Sequence, residues 1–253
     1  MITRETSPGK TVLVFDTPED LAVHAARSFA DYAAQCIRKQ GSFFAALSGG
    51  KTPAKFFREL AKLGEEFEWE KIHLFQVDER MAPADHQDSN QAMIRESFVE
   101  PAGFPPEHFL PVPVQMDDAA LAAQAYENSI NMVLESVPSR PKRLDMILLG
   151  IGQDGHTASL FPEDPEFRQA SSWVRSARSE HHAHQRVTLS LSFVSAASKV
   201  FFLITGQDKA DMVRQILLET SPSLPASLVW KNAQQAVMAL DRAAARAYLQ
   251  IMA

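Results

Sequence analysis

Short, almost wholly apolar runs recur along this chain, separated by longer amphipathic stretches. TVLVF, SFFAAL, IHLFQV, LDMILL, KVFFLI and AVMAL are too short for helices and are bounded by turn signals. Near-continuous apolar runs read as strands buried on both faces, because a strand with one wet face alternates instead. Helical patterns lie between them. The first opens with Thr17 as N-cap, Pro18 at the first helical position and Glu19 and Asp20 in the first turn, runs to about Gln40 and stops at Gly41. AKFFRELAKL, NQAMIRESF, MDDAALAAQAYENSINMVLESV, the segment after TGQDK and DRAAARAYLQ supply further helices, and WVRSA and RVTLSLS two further strands. Strands alternating with helices predict an α/β fold: a mostly parallel sheet with helices on both faces. The proline-rich text at 101–113 reads as a connector, and no repeat or linker interrupts the chain, so 1–253 is expected to form a single domain.

Charge and cysteine content narrow the function classes. A formal net charge of −6 offers no basic surface for nucleic acid, so an anionic ligand needs a local cluster of cations. A lone Cys36 allows no internal disulfide and fits a reducing compartment. MITRETSPGK has no apolar signal core, and no stretch is apolar for the length of a membrane span. The expectation is a cytoplasmic protein, monomeric or weakly homo-oligomeric, with no nucleic-acid or membrane partner.

In a parallel sheet the loops at the carboxyl ends of the strands carry the site. Four such loops are rich in Gly, charge or His: SGGKTP, DER, GIGQDGH and TGQDK. Gly150, Gly152 and Gly155 spell the dinucleotide fingerprint G-x-G-x-x-G, but its context fails. Pro162 cuts any crossover helix short, and Arg175 and Arg178 stand where the ribose-binding acid belongs. The glycines are instead expected to supply positive φ and close approach in a turn that presents Asp154 and His156. Thr157 to Phe161 is expected to add one helical turn with free N–H groups.

The SGGKTP loop, with Gly49, Gly50, Lys51 and Thr52, resembles a phosphate cradle at a helix N-terminus and does not match a Walker A loop. Ser48 within ALSGG also reads as a degenerate nucleophile elbow. Asp78, Glu79 and Arg80 end a strand, where two acids and a guanidinium suit a sugar and its phosphate. Lys209 starts a helix and faces the same side, and Arg186 is a further cation. His181, His182 and His184 form a compact cluster with no cysteine and no spaced third ligand, which reads as a solvated loop rather than a metal site.

Together these segments resemble the 6-phosphogluconolactonase family within the glucosamine/galactosamine-6-phosphate isomerase superfamily. LSGGKTP, VDERMAP with SNQAMIRESF, LGIGQDGHTASLFP, RVTLSLS, FLITGQDKA and LPASLV occur in the family's order over about residues 12–250. The related deaminases have Asp-Glu-Tyr where this chain has Asp78-Glu79-Arg80, and an Asn-Glu-Pro-like ending where it has Ser159-Leu160-Phe161-Pro162. The resemblance implies a Rossmann-like, sugar-phosphate isomerase-like sheet without a dinucleotide, and hydrolysis of 6-phospho-D-glucono-1,5-lactone in the oxidative pentose phosphate pathway, with a sugar-phosphate lactone as partner and no metal or organic cofactor. The segment RSEHHAHQRVT departs from a usually proline-rich approach to the arginine, and LPASLVW lacks an arginine often found before its valine.

On this basis His156 is expected to act as general base, since an imidazole with a free pKa of ~6.5 suits neutral chemistry. Asp154 would orient it, and backbone N–H groups of the glycine turns would meet the oxyanion. Gly49, Gly50, Lys51, Thr52, Asp78, Arg80, Lys209 and Arg186 would bind the substrate. The rival readings are an amino-sugar-phosphate deaminase, a serine hydrolase using Ser48 and a non-catalytic sugar-phosphate sensor.

Overall fold

A computed structural model of the chain describes every residue except 65, 66, 138, 139, 170, 182 and 253. The strands are β1 (Ile2–Ser7), β2 (Lys10–Phe15), β3 (Phe43–Leu47), β4 (Ile72–Gln76), β5 (Asp78–Arg80), β6 (Phe109–Leu110), β7 (Met146–Leu149), β8 (Val174–Ala177), β9 (Arg186–Leu189), β10 (Lys199–Ile204) and β11 (Ala236–Asp241). The helices are α1 (Pro18–Gln40), α2 (Lys51–Ala61), α3 (Asn90–Ile94), α4 (Ala119–Glu135), α5 (Leu191–Ser195), α6 (Ala210–Leu217), α7 (Pro225–Asn232) and α8 (Arg246–Ile251).

Eight strands form one sheet in the order β1-β2-β11-β10-β7-β3-β4-β6. All its pairs are parallel except β1 on β2, so the chain has the expected mostly parallel sheet. The apolar runs split by parity between the two faces. Phe43, Ala45 and Leu47 pack with α1 and α2, whereas Phe44 and Ala46 pack on the face covered by α4, α6 and α7. Burial of both faces is why these strands show no polar alternation.

Helix α1 has the expected bounds. The Thr17 hydroxyl accepts from the Asp20 N–H, and Gly41 takes the left-handed conformation at φ 83 and closes onto the Ile37 carbonyl. Elsewhere the structure departs from the sequence reading. Helix α2 starts at Lys51 rather than Ala54, so part of the SGGKTP turn is already helical. The strand expected to end in Asp78-Glu79-Arg80 stops at Gln76. Those three residues form β5, the edge of a separate antiparallel sheet ordered β5-β9-β8. RVTLSLS is a strand only to Leu189, because the Ser190 hydroxyl then caps α5. Strand β1 is exposed along most of its length and has no apolar pattern; pairing with β2 alone defines it.

At the end of the sheet opposite the four loops, Arg140 is buried beside Asp145. Its guanidinium donates to the Asp145 carboxylate at 2.5 Å and to the Ser42 hydroxyl at 2.7 Å. Asp145 also accepts from the Phe44 N–H at 2.8 Å and from the Gln40 amide at 2.7 Å. This network ties the start of β3 to β7. Arg140 Nε has no hydrogen-bond partner, and the guanidinium stacks over the Phe44 ring at 4.1 Å.

Candidate active site

The loops after β3, β7 and β10 converge over the carboxyl ends of their strands, joined by β5, where the parallel-sheet rule places a site. Gly49, Gly150 and Ile151 form a wall shared by two recesses. One recess is lined by His156, Asp78, Arg80, Asn90, Ser159 and Arg186, together with Ser48 and Phe161. The other is lined by Gly50, Lys51, Thr52, Asp208 and Lys209. Nine of the ten residues singled out from the sequence therefore line one continuous cleft. The tenth, Asp154, lines neither recess and contacts His156.

The turn from Gly150 to His156 is built around that pair. Asp154 Oδ1 lies 2.7 Å from His156 Nδ1. Burial acts to raise the Asp154 carboxyl, but the His156 hydrogen bond and charge, with backbone N–H donors, hold it down at about 2. An ionised carboxylate only accepts, so Nδ1 carries the hydrogen in this contact. The glycines do not share one role. A Cβ on Gly152 would lie 2.2 Å from both Asp154 Oδ1 and His156 Nδ1, so only glycine lets the pair close over the backbone. Gly155 supplies the positive φ, at 86, whereas Gly150 meets neither constraint. The Gly152 N–H donates to the His156 carbonyl and the Gly155 N–H to the Gly152 carbonyl. Both are spent on the turn, which removes them as donors to a substrate oxyanion.

The helical turn expected at Thr157 to Phe161 is absent. Thr157 and Leu160 form an isolated bridge around Ala158 at φ 54. No α-helix follows the glycines before α5 among the described residues, so the dinucleotide fingerprint has no crossover helix.

Arg80 and Arg186 are direct cross-strand partners in the β5–β9 pair. Like charges opposite one another are unfavourable unless an anion neutralises them. Arg186 is buried; desolvation and then the Arg80 charge pull its guanidinium below its usual range, while the acids around it act the other way. Arg80 Nε and Ser48 Oγ are buried without a hydrogen-bond partner. Orphaned polar atoms lining a cleft fit a site that completes its hydrogen bonds with a ligand. Ser48 Oγ therefore has no hydrogen bond to a base, which leaves the nucleophile elbow without its activating contact.

Of the neighbouring acids, Glu79 is not a ligand group. It is fully buried and accepts from the N–H groups of Arg80, Asn90 and Gln91 at 2.7, 2.9 and 2.6 Å, and from the Gln76 amide at 2.8 Å. It anchors the start of α3, and so places Asn90. Asp78 accepts from the Ser159 hydroxyl at 2.7 Å, and its carbonyl accepts from the Asn90 amide at 2.9 Å. Asn90 also fills the space above Gly49, where a Cβ would lie 1.8 Å from Asn90 Oδ1. Neither Asn90 nor Ser159 is assigned a role of its own by the sequence reading. The Gly-Gly pair after a buried strand was the available signal that a side chain from elsewhere packs there.

In the second recess, Gly50 is the N-cap of α2, which has no side-chain cap and no acid in its first turn. Its first N–H groups thus retain the partial positive charge that favours an anion. Thr52 Oγ1 is 2.7 Å from Thr205 Oγ1, and the Gln153 amide donates to Asp208 at 3.0 Å. These contacts join the three glycine-containing loops. Lys209 stands at the start of α6 with its ammonium 3.5 Å from Asp208.

The fold and site define an α/β protein with a histidine–carboxylate pair facing a cationic cleft at the sheet's carboxyl end. The family model described as glucosamine-6-phosphate isomerases/6-phosphogluconolactonase matches residues 16–238, and the chain belongs to that family. It is 33% identical over 215 residues to a protein of Nostoc sp. named 6-phosphogluconolactonase, covering 85% of this chain and 88% of that one. It is 32% identical over 243 residues to an Arabidopsis thaliana protein named probable 6-phosphogluconolactonase 2, covering 92% and 93%. The solved 6-phosphogluconolactonase of Trypanosoma brucei superposes with a TM-score of 0.81 at 28% identity, covering 95% of this chain and 99% of that one.

Proposed function

We propose that this protein is a lactonase that hydrolyses 6-phospho-D-glucono-1,5-lactone to 6-phospho-D-gluconate in the oxidative pentose phosphate pathway. The observation that carries this reading is the Asp154–His156 contact beside the facing Arg80 and Arg186. With Nδ1 committed to Asp154, Nε2 is assigned to proton transfer. His156 takes a proton from water as the water oxygen bonds to C1 of the lactone. Asp154 stabilises the imidazolium that forms. The tetrahedral centre collapses, the C1–ring oxygen bond breaks, and the imidazolium returns the proton to the leaving oxygen. The Ser48 hydroxyl replaces the Gly152 and Gly155 N–H groups as donor to the developing oxyanion.

The phosphate is held by Gly49, Gly50, Lys51 and Thr52 at the start of α2, with Lys209, Arg80 and Arg186, while Asp78 keeps Ser159 at the wall. The lactone opens unaided in water, so positioning between the two recesses supplies much of the rate gain. The unit is assigned to 1–253 as one domain acting in the cytoplasm, with no cofactor in these steps. Arg80 in place of a tyrosine favours the lactonase over the amino-sugar-phosphate deaminases of the same family.

The purified protein is expected to accelerate loss of the lactone well above its spontaneous rate and to release no ammonia from glucosamine 6-phosphate. Ammonia release without lactone hydrolysis would overturn the reading. Ligand binding without turnover would make the protein a sensor.

A further inference from the structure

Outside the cleft, the loops that precede β9 and follow β5 bring together three metal-ligating side chains. His86 Nδ1 lies 3.8 Å from Asp88 Oδ2, and His184 Nε2 lies 3.7 Å from the same oxygen. The three atoms are all within 4.8 Å of one another, and all three side chains are partly exposed. The histidine cluster near 181–184 lacked a third ligand in its own segment. The ligands come instead from a loop about a hundred residues earlier in the chain. His182 lies outside the described residues, and His181 is on the far side of the turn, lining a separate recess with Glu163 and Arg178.

We propose that His86, Asp88 and His184 bind a divalent transition-metal ion of the zinc class at the rim of the cleft, and that this ion fixes Arg80 and Arg186. Two imidazoles and one carboxylate are a borderline donor set that suits zinc and its neighbours better than magnesium or calcium, which take oxygen ligands. Tetrahedral zinc with bonds of ~2.1 Å places its ligand atoms ~3.4 Å apart, so the two His–Asp contacts need close only slightly and the two imidazoles by no more than ~1.4 Å. The Asp88 N–H donates to His86 Nδ1 at 3.2 Å. Nδ1 is therefore the unprotonated nitrogen, and the metal takes over the lone pair of a long hydrogen bond. Three protein ligands leave one position for water.

The same loops hold the arginines. Arg80 Nη1 donates to the Asp88 carbonyl, and Arg186 Nη1 donates to the His184 carbonyl at 3.1 Å. An ion that joins residues 86, 88 and 184 joins both of those carbonyls, and it adds positive charge beside an anion site.

The test is calorimetric titration of zinc chloride into the chelator-stripped full chain. One equivalent is expected to bind, H86Q/H184Q to bind on the order of 100-fold more weakly, and H156A to bind as the wild type does. Failure of the wild type to bind overturns the site, as does unchanged binding by the double variant. Loss of binding in H156A moves the ion to the Asp154 pair and also overturns it. Should the double variant misfold, the cobalt spectrum of the unmodified chain decides: visible bands of imidazole-bound, low-coordinate cobalt support the site, and their absence overturns it. The link to the arginines rests on the lactonase reading. One equivalent of zinc is expected to lower KM for the lactone about threefold or more in the wild type but not in H86Q/H184Q, with kcat unchanged. An unchanged KM overturns the link. If the protein lacks lactonase activity altogether, the titration still reports the site.

Discussion

Gly152 carries the tightest steric demand in the site, since a side chain there would occupy the volume of Asp154 and His156. Gly150, with nothing within 4 Å of a built Cβ, carries none of that demand. G152A is therefore expected to separate the pair and lower kcat about 100-fold or more while the chain stays folded, and G150A to leave thermal stability unchanged. Kinetics and a melting curve on each variant check this, and equal kcat in G152A and wild type would contradict it. The sequence showed that three glycines made a turn bearing His156. It did not show which glycine mattered, because close approach depends on where the Asp154 side chain folds back. Glu79 illustrates the same limit. Its charge reads as a site residue in the sequence, and only the donors around it reveal an anchor for α3.

Elements were legible where their signals are local. Thr17, Pro18 and Gly41 lie within or next to α1 and fixed both of its ends. The three-residue β5 was not legible, because its partner Arg186–Leu189 lies over a hundred residues away and nothing near Asp78 encodes that pairing. The loss of the helical turn after His156 is similar, since the Ser159 N–H and hydroxyl are taken by Thr188 and Asp78. One element also carries a pH prediction. His73 on β4 stacks on His108 at 4.5 Å; burial first, then the charges of His108 and Arg140, hold its pKa at about 4. The unfolded chain titrates the same group at ~6.5, so between these values it binds more protons than the folded one. Stability from this group is present above ~6.5 and is lost as pH falls toward about 4. Urea midpoints at pH 7 and 4.5 are expected to fall less in H73Q than in wild type; equal falls would contradict the assignment.

At the scale of the molecule, the alternation of apolar runs and amphipathic segments sufficed for a mostly parallel sheet and for the end at which its site lies. The strand order and the second sheet came from long-range pairing that no local window contains. No helix among the described residues is long and apolar enough to cross a membrane. What the fold does is gather a histidine–carboxylate pair from the loop after β7 and cations from four other segments around one cleft. We propose that His156 performs proton transfer there. This role is tested most directly by the rate of 6-phosphogluconolactone loss for H156A and wild type, each corrected for spontaneous hydrolysis. A fall in kcat of ~10²–10⁴-fold is expected, with substrate affinity largely kept. A corrected kcat for H156A near that of the wild type would contradict it.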